Sequence, residues 1–237
     1  MMFYVGLHQP SDAKHFERAF ISVNRLNERS KPLGVSAWIM DSGAFTELSL
    51  HGKYRSDVTD YARQIARWKH DPTLRAVVSQ DYMCEPFILQ KTGLTLEQHQ
   101  HFTIWRYDSL RHLINHVYVM PVLQGYAAWD YLDHIDLYGD RLVAGAYVGV
   151  GSICKRNTNV EAIEEILNAI KRERPDLQLH GFGLKTTALA SANVRSCLCS
   201  ADSMAWSYAA RREGRRQNDW REAAAFVRRV MGHATST

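Results

Sequence analysis

Proline is scarce in this chain, with six residues in 237, and no Gly/Ser/Pro-rich or low-complexity stretch offers a linker. One domain over residues 1–237 is the expectation. No uninterrupted apolar run reaches the roughly 18–20 residues that cross a bilayer. The opening Met1–Asp12 also lacks the basic region and small-residue cleavage site of a secretory signal. A cytoplasmic protein with no membrane partner is therefore expected. The four cysteines, Cys84, Cys154, Cys197 and Cys199, form no CxxC pair. That excludes a disulfide framework and leaves reduced thiols as the expectation. None of the eleven histidines stands in HxH or HExxH spacing, so no metal site is expected, with His8 and His180 as the two residues able to add to one.

Charge of one sign is also in short supply, with 29 Lys and Arg against 25 Asp and Glu. The small excess is concentrated, however. Between Arg211 and Arg229 seven arginines face three acids, an excess equal to the net +4 of the chain. Localised arginine is either a solvated helix face or the electrostatic footprint of a phosphate-bearing partner. This basic segment and a closing helix are placed over 211–231, with Trp220, Ala224, Phe226 and Val230 docking the helix.

What the chain has in abundance is alternation of two textures. Short apolar runs predict buried strands at Phe3–Leu7, Val35–Asp41, Ala76–Met83, Val117–Leu123, Leu142–Val150, Leu177–Leu184 and Val194–Asp202. Helical spacing joins Phe16, Phe20, Val23 and Leu26, then Tyr61, Ile65 and Trp68, then Val160, Ile163, Ile166, Leu167 and Ile170. Thr95-Leu96-Glu97-Gln98 is a capping box opening another helix. Strand and helix in alternation imply parallel strands with crossover helices, hence a doubly wound sheet or a closed barrel. Length and polar strand ends favour a TIM-type (β/α)8 barrel, which usually takes ~250 residues. Seven strands are clear, so the eighth is irregular, merged or missing; Met204–Tyr208 is the candidate.

The strand ends carry the chemistry. Asp41-Ser42-Gly43-Ala44-Phe45, Gln80-Asp81-Tyr82, Gln124-Gly125, Gly149-Val150-Gly151-Ser152, Gly183-Leu184-Lys185 and Asp202-Ser203 all follow apolar runs. In a barrel these ends converge on one mouth. Three carboxylates there can bind a hard cation or divide the roles of nucleophile and acid/base, as in retaining glycosyl transfer. Asp81, Gln124 and glycine N–H groups suit the edge of guanine, which offers donors to a carboxylate and an O6 acceptor to N–H groups. Phe45, Tyr82 and Trp206 are candidates to sandwich a base. Lys155, Arg156 and Lys185, with Arg211, Arg212, Arg215 and Arg216, are candidates for phosphate contacts on the rim.

Taken together these elements resemble the tRNA-guanine transglycosylase superfamily, barrel enzymes that exchange guanine in a polynucleotide for a 7-deazaguanine. Asp41-Ser42-Gly43-Ala44-Phe45 is similar to the family's DSGGF/DSGGY element, Val122-Leu123-Gln124-Gly125 to its VQG element and Gly149-Val150-Gly151-Ser152 to its GGL(S/A) turn. Asp202-Ser203 and the small and aromatic residues through Ala210-Arg211 resemble the archaeal-type nucleophile segment. The resemblance runs from about Ile39 to Arg216. It implies Asp202 as nucleophile, Asp41 as acid/base, and Asp81, Gln124, Gly149, Val150 and Gly151, with Phe45 and Tyr82, as base-binding residues. Ala44 departs from the family's glycine, and the zinc module CxCxxC after the nucleophile is missing, so no cofactor is expected. A compact chain without zinc looks most like the branch that inserts bases such as 7-cyano-7-deazaguanine into DNA. Expected partners are DNA, a free 7-deazaguanine base, and either a second copy of the chain or helper proteins. The alternatives are action on tRNA and a non-catalytic nucleic-acid-binding subunit.

Overall fold

The computed structural model describes residues 1–27, 29, 31–156 and 159–232. Nine parallel strand segments run in the order β5-β4-β3-β2-β1-β9-β8-β7-β6. They are β1 (Met2–Gly6), β2 (Arg18–Ser22), β3 (Ala37–Asp41), β4 (Leu74–Val78), β5 (Tyr118–Met120), β6 (Val122–Leu123), β7 (Tyr147–Val150), β8 (Gln178–Gly181) and β9 (Leu198–Ser203). The first and last in that order, β5 and β6, are consecutive pieces of one run interrupted at Pro121, which has no N–H to give a ladder. Counted as one strand, they return the sheet to itself as an eight-stranded TIM-type barrel with a single seam. The Tyr118 hydroxyl spans that seam: it donates to the Tyr147 carbonyl at 2.9 Å and accepts the Tyr147 N–H at 3.1 Å.

Strand alternation sorts the core into two layers. Tyr4, Phe20, Ile39, Ala76, Val78, Met120 and Val122 fill the barrel interior with Phe182 and Tyr147. Residues of opposite parity, such as Val5, Ile21, Met40, Val77, Val148 and Ala201, face the helices. The helices are α1 (Ala44–His51), α2 (Val58–Ala66), α3 (Pro86–Thr92), α4 (Leu96–Leu113), α5 (Ala128–Tyr138), α6 (Val160–Glu173), α7 (Thr186–Ala190), α8 (Ala192–Cys197), α9 (Ala205–Arg212) and α10 (Trp220–Gly232). The expected capping box starts α4, with Thr95 Oγ1 accepting the Gln98 N–H and Gln98 Oε1 accepting the Thr95 N–H. Ile163, Ile166, Leu167 and Ile170 of α6 are all buried, at roughly 1.5–3 kcal/mol each.

Three expectations are corrected. Phe16–Leu26 is not a helix: Arg18–Ser22 is β2, the eighth strand, flanked by short 3-10 turns. Its apolar residues face both layers, Phe20 inward and Ala19 and Ile21 outward, and such a short run fits either period. Met204–Tyr208 is correspondingly not a strand but the entrance to α9, and the run Val194–Asp202 begins as α8. Within the basic segment and closing helix expected over 211–231, Arg211 and Arg212 end α9, Arg215 and Arg216 lie in the connection, and α10 is the helix. With no α-helix between β1 and β2, α10 covers that sector, Phe226 packing on Phe3 with ring centroids 6.0 Å apart. Trp206 anchors α9 beside it by donating from Nε1 to the Gly6 carbonyl at 2.8 Å. Among the described residues no helix is long and apolar enough to cross a membrane.

Candidate active site

All three acids stand at the C-terminal mouth of the barrel. Asp41 closes β3, where Gly43 turns the chain at φ +77° into α1 and donates its N–H to Asp41 Oδ2 at 3.2 Å. A side chain at Gly43 would meet the Asn24 amide at 2.6 Å, so this position is closed to anything but glycine on both counts. Asp202, on β9, is buried. Its Oδ1 accepts the Gly183 N–H at 3.1 Å and faces His180 Nε2 at 3.3 Å. Asp81 follows β4, buried as well, and accepts a hydrogen bond from Gln124 Nε2. No cation pairs with Asp41 or Asp81, among the described residues. Burial, with the Asp202 charge nearby, raises Asp41 to about 6. Burial and the charge of Asp41 raise Asp81 to about 7. Both acids thus exchange protons near neutrality, the condition for general acid/base work.

Gln124 is held from every side. Its backbone N–H donates to His134 Nδ1 at 2.9 Å, its carbonyl accepts from Gln100 Nε2 at 2.9 Å, and its Oε1 lies 2.6 Å from Ser152 Oγ. Ser152, the only non-glycine residue with positive φ (54°) among those described, also accepts the Cys84 N–H at 2.8 Å and lies 3.0 Å from Glu85 Oε2. A hydroxyl has one proton. The chain Glu85–Ser152–Gln124–Asp81 closes when Glu85 is protonated and donates to Ser152, which donates to Gln124, whose amide donates to Asp81. Burial raises the Glu85 carboxyl in the direction this requires.

The glycines act differently from the expectation. The N–H groups of Gly149 and Gly151 are committed to the barrel ladder, donating to the Pro121 and Leu123 carbonyls, each at 2.9 Å. They are not donors for a base. Their service is steric: a Cβ at Gly151 would lie 2.2 Å from Gln124 Nε2, and one at Gly149 2.4 Å from the Phe182 ring. Val150 turns its side chain to the helix layer.

On the rim, Phe45 is exposed and Lys155 Nζ sits 4.7 Å from its ring centroid. Arg156 stacks on Tyr126 at 4.1 Å and donates to its carbonyl. Tyr82 does not join them; its buried ring packs against Tyr54, His99 and Phe102. Trp206 is likewise buried. Lys185 and Arg212, with Tyr208, Phe226 and Arg229, line a cavity of about 410 Å³ among α7, α9 and α10. Arg211 lies over Tyr208, and Arg216 is exposed. Arg215 is engaged by Glu213 at 2.6 Å and by Glu222.

A family model described as DpdA, DeoxyPurine in DNA protein A, matches residues 1–219. The chain belongs to the DpdA family. This is the DNA-guanine transglycosylase branch of the superfamily that the motifs resemble, and it places the chain among proteins of DNA modification. Comparison with curated proteins gave no match. The cysteines nearest in sequence to where the wider superfamily carries zinc are engaged otherwise: Cys197 Sγ faces Asn168 and Cys199 Sγ faces the Leu179 carbonyl, and no group of three metal-binding side chains occurs among the described residues. His8, the other histidine considered for a metal, bonds Ser207 Oγ at 2.7 Å.

Sequence reasoning missed the residues behind the acids. Arg106 donates to Gln80 Oε1 at 2.6 Å and lies 4.2 Å over the Tyr54 ring, while the Tyr54 hydroxyl donates to the Asp81 carbonyl at 2.8 Å. The available signal was an arginine on the buried stripe Thr103, Tyr107 and Leu110. Glu85 gave none, and Ser152 stood only as the last residue of a turn motif, because the partners of Ser152 lie 67 and 28 residues away.

Proposed function

We propose that this DpdA-family chain exchanges guanine in DNA for a 7-deazaguanine through a covalent bond between Asp202 and deoxyribose. The observation that carries this reading is the meeting of Asp41 and Asp202 at one mouth, close enough that the charge of Asp202 helps raise Asp41 to about 6. One carboxylate held by donors and a second that carries a proton near neutrality are the two groups retaining glycosyl transfer needs.

In the first half-reaction an Asp202 oxygen bonds to C1′ as the C1′–N9 bond breaks, and Asp41 gives its proton to N9 of departing guanine. In the second, the incoming base gives its position-9 proton to Asp41 and attacks C1′, and the C1′–Asp202 bond breaks with its electron pair returning to the carboxylate. Retention follows from two displacements. Asp81 accepts from the ring N–H and exocyclic amine of the base. Since the glycine N–H groups are committed, the second hydrogen of Gln124 Nε2 serves O6. The target nucleotide must leave its stack, which costs a few kcal/mol and favours single-stranded or distorted DNA. Lys155, Arg156, Lys185, Arg212 and Arg216 take the flanking phosphates, and Phe45 offers a stacking face. A second copy or helper protein would extend this surface.

The test is incorporation of labelled guanine into DNA or unmodified tRNA by the purified protein, beside Asp202→Ala and Asp41→Ala. Label in DNA that depends on Asp202 is the expected result. Label confined to tRNA overturns the choice of polymer, and activity that survives Asp202→Ala in complex with a partner identifies a non-catalytic subunit.

A further inference from the structure

His180 has no part in the scheme above, yet it is fully buried and its Nε2 lies 3.3 Å from Asp202 Oδ1. On one side its ring lies flat on Phe20, with centroids 5.5 Å apart at 15°, and Phe182 closes edge-on at 5.0 Å. That clamp fixes the ring plane. Nδ1 faces two hydroxyls, Ser200 at 2.8 Å and Tyr147 at 3.0 Å, which are 2.6 Å from one another. Burial holds the Tyr147 phenol far above its ordinary range, so it remains a proton donor. With a hydroxyl donating to Nδ1, the imidazole proton resides on Nε2, which faces Asp202 Oδ1.

Gly183 N–H addresses the same oxygen. Both donors converge on Oδ1, which leaves the bond to C1′ to Oδ2. We propose that His180 is a positioning residue for Asp202: it fixes which carboxylate oxygen attacks and stabilises the carboxylate as the C1′–Oδ2 bond breaks. This rests on the reading of Asp202 as nucleophile. When that bond breaks, the returning electron pair is shared with Oδ1, where two oriented donors are already in place. Preorganised donors aimed at developing charge need no rearrangement at the moment of reaction. The glycosyl-enzyme is therefore resolved with the help of His180, whereas its formation, which starts from the charged carboxylate, needs the donor less.

The experiment measures the fraction of protein covalently joined to a DNA oligonucleotide after rapid denaturation, together with turnover and KM for DNA. His180→Phe keeps a ring in the clamp and removes the donor. It should lower turnover about tenfold to a hundredfold, below the ~10²–10³ typical of a shorter oxyanion contact. The denaturation-stable adduct should rise, KM for DNA should fall with turnover, and kcat/KM for DNA should stay within about twofold. His180→Gln restores an N–H and should recover part of the turnover. Tyr147→Phe, which removes one partner of Nδ1, should shift the adduct fraction the same way by a smaller factor. A folded His180→Phe protein with wild-type turnover and adduct fraction overturns the proposal, as does an unchanged adduct in Tyr147→Phe if His180→Phe does not fold. Absence of any adduct in the wild type, with activity kept in Asp202→Asn, instead defeats the nucleophile assignment beneath it.

Discussion

The two sides of the barrel mouth treat the same side chain in opposite ways. On the side of β8 and β9, Asp202 is met by a backbone N–H and an imidazole. On the side of β4 and β6, Asp81 is buried with an amide, a hydroxyl and a second acid behind it. Asp41, on β3 between them, is the most accessible of the three and carries the repulsion of both neighbours. Identical residues thus meet different surroundings: Asp202 lies against a backbone N–H and an imidazole, whereas at Asp41 and Asp81 burial and repulsion outweigh the donors Gly43 and Gln124 and raise both carboxyls.

Exchanging residues across this division is the most direct way to break the comparison, and the largest effect belongs to Asp202, the proposed nucleophile. Asp202→Asn should abolish base exchange and adduct formation, a loss of at least ~10⁴-fold, while Asp41→Asn should cost about 10²–10⁴-fold through the lost acid/base role. Equal losses with adduct still formed in Asp202→Asn would reverse the two assignments. Gly151→Ala comes next. Its Cβ would displace the Gln124 amide, so KM should rise about tenfold with a smaller fall in kcat, at roughly 1–3 kcal/mol of stability. Steady-state kinetics and denaturant unfolding check both halves.

The proton-holding side also makes stability depend on pH. Asp41 and Asp81 bind protons more tightly folded than unfolded, where both titrate near 3.8. Between about pH 4 and 7 the unfolded chain therefore ionises first, and stability falls as pH rises, by up to about 7 kcal/mol in all. Urea midpoints should be higher at pH 5 than at pH 8, and Asp81→Asn should flatten the profile. A midpoint that rises across this range would show that the two acids are not proton-holding in the folded chain. The smallest effect is expected at the rim. Arg215 is already engaged by Glu213 and Glu222, so Arg215→Ala should leave the salt dependence of DNA binding nearly unchanged. Arg212→Ala should reduce that slope by about one counterion.

The strand ends explain why so much of the site was legible. Asp41, Asp81, Gln124 and Asp202 each directly end or follow an apolar run, and parallel strands bring their ends to one face whatever the details of packing. Their family is carried by the same local motifs. Phe16–Leu26 misled because its apolar residues recur at every third or fourth position, while the five residues of β2 within it, fewer than two helical turns, also satisfy a strand buried on both faces. The glycines misled for another reason: a Gly-x-Gly turn looks like a supply of free N–H groups, but whether those groups are free depends on strands distant in sequence. His180 was visible only as a histidine in an apolar strand, without its partner.

What the sequence determined by itself is therefore seven of the strands, the barrel that their alternation with helices implies and the acids at its mouth, because periodicity and strand parity are local properties of a chain. What only the tertiary structure decided is the state of those acids and the partners of Gln124. Desolvation, mutual repulsion and hydrogen bonds act across a few ångströms between residues tens of positions apart, and no reading along the chain measures those distances.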